Sequence, residues 1–195
     1  RGSMENELEY NYGIIEIRKL ISEFPQIKFI IGASTYIDYQ QGGEKPTESA
    51  RQNAQTKVWF DAFNSALLID NTPTIQIYHK SKLVLGVERL PFAAILAPLE
   101  SFAINLGGTF GSLGTAEKAE VFDLNTKTAI APVICYESIY GDYFGDYVAN
   151  GANLVFIITN DGWWEDTPGY KQHLSYARLR AIENRRSIAR SANTG

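Results

Sequence analysis

The stretch from Asn153 to Thr159 (NLVFIIT) constrains this chain more than any other. It is apolar almost throughout, without polar alternation, so it is expected as a strand covered on both faces. It is far shorter than the roughly 18 residues a membrane-spanning helix needs, and no other run approaches that length. A strand of this kind requires packed layers on either side of its sheet, which points to a layered α/β fold.

The remaining segments supply those layers. Ile14, Ile15, Arg18, Leu20 and Ile21 outline a helical face with Glu16 and Lys19 outside it, and Pro25 ends that helix. Lys28 to Ser34 is a short β-rich run, followed by a polar surface excursion from Tyr39 to Lys57. Val58–Asp70 and Thr74–His79 read as strands joined through Asn71-Thr72-Pro73. Ala119–Leu124 and Ala129–Cys135 form a second pair around Asn125-Thr126-Lys127. A helix is expected from Ile139 to Asn150, stopping at Gly151, another over 168–185, and a last strand from Ser187 to Ala192. Leu90 to Gly114 is apolar without a clear period.

Composition narrows the function classes. With 45% hydrophobic and 21% charged residues among 195, the chain is not disordered. Its 18 Lys+Arg against 22 Asp+Glu give a net charge of −4, which argues against general nucleic-acid binding. The single cysteine, Cys135, excludes a disulfide framework and a Cys-rich zinc site; no metal or other cofactor is expected. Arg1-Gly2-Ser3-Met4 reads as a tag remnant, so residues 5–195 are taken as the domain. Glu5 to Tyr10 is polar and not a leader, and both ends look trimmed from a longer protein.

Cys135 ends an apolar strand and precedes a helix, a place where a side chain is exposed and the helix N-terminus favours thiolate. A lone cysteine is equally at home as a small buried hydrophobe. Lys80 and Lys82 follow a strand and precede Glu88; a lysine near a thiol can steady an oxyanion, and a carboxylate can act as base. A solvated charged loop is the plainer reading. A Cys–His pair would need His79 or His173. Trp163 and Trp164, in a loop after the buried strand, could wall an apolar substrate or cover the core.

Taken together, Tyr78-His79-Lys80-Ser81-Lys82-Leu83-Val84 with Glu88 resembles the lysine motif of the nitrilase, or carbon–nitrogen hydrolase, superfamily. Val133-Ile134-Cys135-Tyr136-Glu137 resembles its cysteine motif. The block Asn160-Asp161-Gly162-Trp163-Trp164, Gln172-His173-Leu174, Ala177 to Glu183 and Ala192 to Gly195 is similar to the bacterial apolipoprotein N-acyltransferases. The resemblance implies a nitrilase-like αββα sandwich, incomplete at both ends, and a Glu–Lys–Cys mechanism. Cys135 would take an acyl chain from a phospholipid as a thioester and pass it to the N-terminal amine of a diacylated apolipoprotein. Lys80 would hold the oxyanion with a backbone N–H near Tyr136; Glu88, Tyr136, Glu137, Asn64 and Trp163 would line the substrate site. It further implies a parent in the bacterial inner membrane, with this segment facing the periplasm and soluble when excised.

Two departures stand out. The family's general-base glutamate lies in a Pro-Glu motif upstream of the strand at 28–34, and this chain has none. The family's Pro-Phe-Gly after the lysine motif is Leu85-Gly86-Val87 here. The chain by itself is therefore expected to be inactive. A soluble amidase of the same superfamily and a catalytically dead binding domain are the competing readings.

Overall fold

The computed structural model describes residues 2–85, 87–88, 113–125 and 127–194. The first sheet contains β1 (Ser3–Met4), β2 (Phe29–Gln41), β3 (Arg51–Gln52), β4 (Val58–Ile69) and β5 (Gln76–His79). β2 and β4 run antiparallel in continuous register from Phe29 opposite Ile69 to Asp38 opposite Phe60, and β5 returns along β4 as a hairpin. The second sheet has the order β6 (Phe122–Asn125), β7 (Thr128–Ile134), β8 (Leu154–Thr159), β9 (Ser187–Ala192). Its last three strands are parallel, and they are linked by α2 (Gly141–Ala149) and α3 (Gly169–Asn184). Successive crossovers in one direction along a sheet fall on the same face.

Side-chain alternation turns these sheets into layers. Along β4, Ala66 and Leu68 join the core shared with β7 and β8, whereas Leu67 and Ile69 pack with Leu8 and with Ile14 and Ile21 of α1 (Tyr12–Glu23). Tyr143, Phe144, Tyr147 and Ala177 bring α2 and α3 into the shared core. The order is thus helix, sheet, sheet, helix, as the motifs implied. Where the sheets meet, a Cβ on Gly32 of β2 would lie 2.8 Å from Ile158 Cγ2 of β8, so glycine permits the close approach.

Several boundaries differ from the expectations. The strand at 28–34 continues to Gln41, because β4 is long enough to template it, and β3 adds a short pairing inside the polar excursion. On α1 the buried positions are Ile14 and Ile21, with Ile17 packed against the same cluster; Ile15 and Leu20 are exposed. That is the i, i+3, i+7 stripe of a helix resting on a sheet. β8 is fully buried on one face (Val155, Ile157, Thr159) and half-buried on the other. Ser3 and Met4, set aside as a tag remnant, pair with Thr35 and Tyr36. The arm from Leu90 lies outside the described residues except for Leu113 and Gly114.

Candidate active site

The backbone turns sharply where β7 ends. Cys135 has φ +50°, left-handed backbone that costs a non-glycine residue of order 1–2 kcal/mol and persists only where its surroundings hold it. A single 3-10 turn, Cys135–Ile139, follows; the α-helix expected from Ile139 begins at Gly141. Cys135 itself is half-buried.

The restraint on the N-terminal side of the turn is Glu137. This carboxylate is completely buried, and its Oε2 accepts the Ile134 N–H at 2.8 Å. Its Oε1 accepts the Ser81 N–H at 2.7 Å and the Tyr78 hydroxyl at 2.7 Å; Tyr147 OH adds a bond to Oε2 at 3.2 Å. Burial pushes the Glu137 carboxyl up, against the hydrogen bonds from Tyr78, Ile134 and Ser81 and the nearby Lys80 charge. Beside it the Tyr78 hydroxyl bonds that of Tyr143 and accepts from that of Tyr147. Burial and the Glu137 charge raise the Tyr78 and Tyr147 hydroxyls far above the ordinary phenol range.

Lys80 directly follows β5, and its side chain is only 1% exposed. Its ammonium lies 2.8 and 2.7 Å from the two oxygens of Glu88. Glu88 also accepts from Asn64 Nδ2 at 2.5 Å and from the Val84 N–H at 2.7 Å. The Asn64 carbonyl takes the Lys80 N–H at 2.8 Å, so one β4 residue fixes both ends of the pair. Glu137 thereby links the residue after Lys80 to the residue before Cys135. Tyr136 is half-buried, with its ring edge-on to Tyr140 at 5.6 Å. Trp163 is 53% exposed in the loop after β8, and Trp164 packs over Gly169 at the start of α3.

Neither histidine forms a papain-like pair. His79 stacks on Phe63 at 3.9 Å and bonds Glu5 at 2.7 Å. It alternates with Lys80 along the strand, so Glu5 lies on the opposite face of the sheet from the lysine. His173 is buried; its Nε2 is 3.1 Å from the Cys135 carbonyl oxygen and 3.2 Å from Ser138 Oγ. Its Nδ1 is 3.2 Å from Asp161 Oδ1, and Asp161 binds Arg190 of β9. Burial raises the Asp161 carboxyl, but hydrogen bonds, that from Arg190 foremost, and the Arg190 charge outweigh it and hold the group below its ordinary value. Tyr143, Tyr147 and Ser138 escaped the sequence reading, and Tyr78 stood in the lysine motif without a role. Tyr78 was detectable as the residue two before Lys80, on the same strand face, and Tyr143 and Tyr147 by their i, i+4 spacing. Among the described residues, no group of three or more His, Cys, Asp or Glu could hold a metal ion.

Residues 44–195 match the carbon-nitrogen hydrolase family. The chain is 36% identical over 141 residues to an apolipoprotein N-acyltransferase of Chlorobaculum tepidum, covering 70% of this chain and 26% of that protein. It is 39% identical over 136 residues to one of Rhizobium meliloti, covering 68% and 25%. The chain thus spans about a quarter of the length of these curated relatives. Among solved structures it resembles an amidase from Nesterenkonia sp. (TM-score 0.51, 15% identity, 91% of this chain and 51% of that one). It also resembles a CN-hydrolase superfamily protein from Xanthomonas campestris (TM-score 0.50, 16% identity, 94% and 54%). At these identities the structural likeness speaks for the fold alone. From its sequence match and its fold, the chain belongs to the carbon–nitrogen hydrolase family.

Proposed function

We propose that this chain carries the nucleophile and lysine of an apolipoprotein N-acyltransferase. The observation that carries the reading is the Glu137 bridge, which ties the Lys80–Ser81 turn to the Ile134–Cys135 turn through two backbone N–H groups. A thiol on a turn that is tied through one carboxylate to the turn bearing a buried lysine is an arrangement suited to acyl chemistry. Similarity to the acyltransferases favours this substrate class over an amidase.

In the proposed reaction the Cys135 thiolate attacks the ester carbonyl of a phospholipid. A C–S bond forms, the ester C–O bond breaks, and the lysophospholipid leaves with a proton. The amine of a diacylated apolipoprotein then attacks the thioester, an amide forms, the C–S bond breaks, the amine's proton passes to the general base and the thiolate returns. Lys80 and the Tyr136 N–H stabilise the oxyanion in both halves. Asn64 and Glu88 hold Lys80, and Trp163 offers an apolar wall to the acyl chain. Glu137 acts as a brace, since its oxygens are taken by protein donors. The inner membrane, with this domain on the periplasmic side, is the setting that supplies both substrates. No described helix is long and apolar enough to cross a membrane.

The general base is expected from a Pro-Glu segment that these residues do not include; Glu5 is engaged with His79 and Thr35 instead. The test is intact-mass analysis after incubation with vesicles of labelled phospholipid. A longer chain that includes the Pro-Glu segment should gain one hydroxylamine-labile acyl group, lost in Cys135→Ala, and transfer it to a diacylated peptide. The 195-residue chain should not turn over. Acylation that persists in Cys135→Ala overturns the reading.

A further inference from the structure

The Cys135 carbonyl receives two side-chain contacts that the reaction above does not use. Ser138 Oγ donates to it at 2.8 Å, and His173 Nε2 sits 3.1 Å away. A serine hydroxyl has one proton, and here the carbonyl takes it. Both groups facing His173 Nε2, the carbonyl oxygen and Ser138 Oγ, are then acceptors, so Nε2 carries a hydrogen and donates. On the far side of the ring, Nδ1 faces Asp161 Oδ1 at 3.2 Å and an Arg190 nitrogen at 3.4 Å. Asp161 is anchored in turn by Thr159 Oγ1 at 3.1 Å, by Arg190, and by a bond from its own N–H to Asn193 Oδ1 at 2.9 Å. The imidazole is thus held from behind by three elements, β8, β9 and the loop after β8.

A peptide unit is planar and trans, and no described bond is cis. Fixing the Cys135 carbonyl therefore fixes the whole Cys135–Tyr136 peptide plane, with the Tyr136 N–H pointing away from His173. Left-handed backbone at Cys135 makes this plane costly to hold and sensitive to loss of a restraint.

We propose that His173, seated by Asp161 and Arg190, is a positioning residue that orients the Cys135–Tyr136 peptide and so aims the Tyr136 N–H at the substrate oxyanion. The proposal rests on the reading of Cys135 as an acyl-accepting nucleophile. It assigns a purpose to the Asp161, His173 and Arg190 positions, which touch neither the thiol nor the lysine pair.

The experiment uses the 195-residue chain with carbonyl-13C cysteine, which gives one signal because Cys135 is the sole cysteine. Removing a hydrogen bond from a carbonyl moves its 13C resonance upfield. His173→Phe should shift the signal upfield, and His173→Gln, whose amide can donate in the same direction, should restore it. In parallel, Cys135 is acylated by a p-nitrophenyl ester and alkylated by iodoacetamide. Acylation passes through an oxyanion and alkylation does not. His173→Phe should slow acylation by about 10-fold to 100-fold, below the roughly 100-fold to 1,000-fold seen when an oxyanion donor is deleted outright. Alkylation should stay within about threefold, because the thiol itself is untouched. An unmoved 13C signal overturns the proposal, as does an equal loss in both rates, which would mark a purely structural residue. Failure of the underlying nucleophile reading shows separately: Cys135→Ala would then be acylated as fast as the parent chain.

Discussion

Glu88 grips Lys80 through both carboxylate oxygens, 2.8 and 2.7 Å from Nζ, while the lysine side chain is almost wholly out of water. An ammonium buried to this degree is tolerated because it is paired. Removing the partner leaves the charge uncompensated, which typically costs about 3–5 kcal/mol. Glu88→Ala should therefore lower the urea midpoint sharply. Glu88→Gln, which keeps an acceptor for Asn64 or Val84, should fall between it and the parent chain. Midpoints equal to the parent for both variants would contradict a buried pair.

The bridge through Glu137 makes a second expectation. Its oxygens satisfy the Ile134 and Ser81 N–H groups and two tyrosine hydroxyls. Glu137→Leu orphans several buried donors at about 1–3 kcal/mol each, enough to unfold an ordinary domain. Glu137→Gln should remain folded, with weaker holding of the cysteine turn. Near- and far-ultraviolet circular dichroism separates the two outcomes: native-like spectra are expected for Gln, and loss of both signals for Leu.

Acid should weaken the fold through Asp161. Its carboxyl lies below its ordinary value in the folded chain, so the folded state binds fewer protons than the unfolded state through the carboxylate range. The resulting stability is present above about pH 4, the unfolded value, and is lost as pH falls through the folded one. Asp70, where burial is outweighed by hydrogen bonds from Thr72 and Lys28, acts in the same direction. The melting temperature should drop as pH falls below about 4, and Asp161→Asn should flatten that limb while lowering the plateau.

On the alkaline side the sign reverses. Burial and the Asp61 hydrogen bond and charge raise Tyr39 to about 12, so the folded chain keeps a proton that the unfolded chain releases near 10. Stability is complete below the unfolded value and is lost as pH rises through the folded one. Phenolate absorbance should show Tyr39, Tyr78 and Tyr147 ionising late, together with unfolding. Tyr39→Phe should remove part of the slope between about pH 10 and 12.

The contact between Gly32 and Ile158 reports on sheet-to-sheet packing. A methyl added at Gly32 would meet Ile158 Cγ2 at 2.8 Å, so Gly32→Ala should cost about 1–3 kcal/mol by overpacking. In an Ile158→Ala background, which removes that methyl, the same change should cost less. A double-mutant cycle from denaturation curves measures the difference, and strict additivity would argue against this interface.

Much of the architecture was legible in local pattern. The apolar run at 153–159, the hairpin signal at Asn71-Thr72-Pro73 and the helical spacing from Tyr170 to Ala181 each rest on contacts near in sequence. The boundaries that moved did so because of partners elsewhere: β2 runs to Gln41 because β4 lies beside it, and Ile15 is exposed because α1 rests on β4 through Ile14 and Ile21. Cys135, Lys80, Glu88 and Asn64 could be named from motifs, but their geometry could not. The histidines show why: residue type made His79 and His173 equal candidates to pair with the thiol, and only the fold put one against Glu5 and the other against a backbone carbonyl.

By itself, the sequence determined the layered α/β character, the strand end that bears the cysteine, and the family. These follow from periodicity and short motifs, whose physics acts over a few residues. The tertiary structure alone decided that Glu137 reaches a turn 56 residues away, that Glu88 holds Lys80, and that His173 reaches the Cys135 carbonyl from 38 residues away. A buried polar atom must find a partner wherever the packed layers bring one, and no local pattern records which partner that will be.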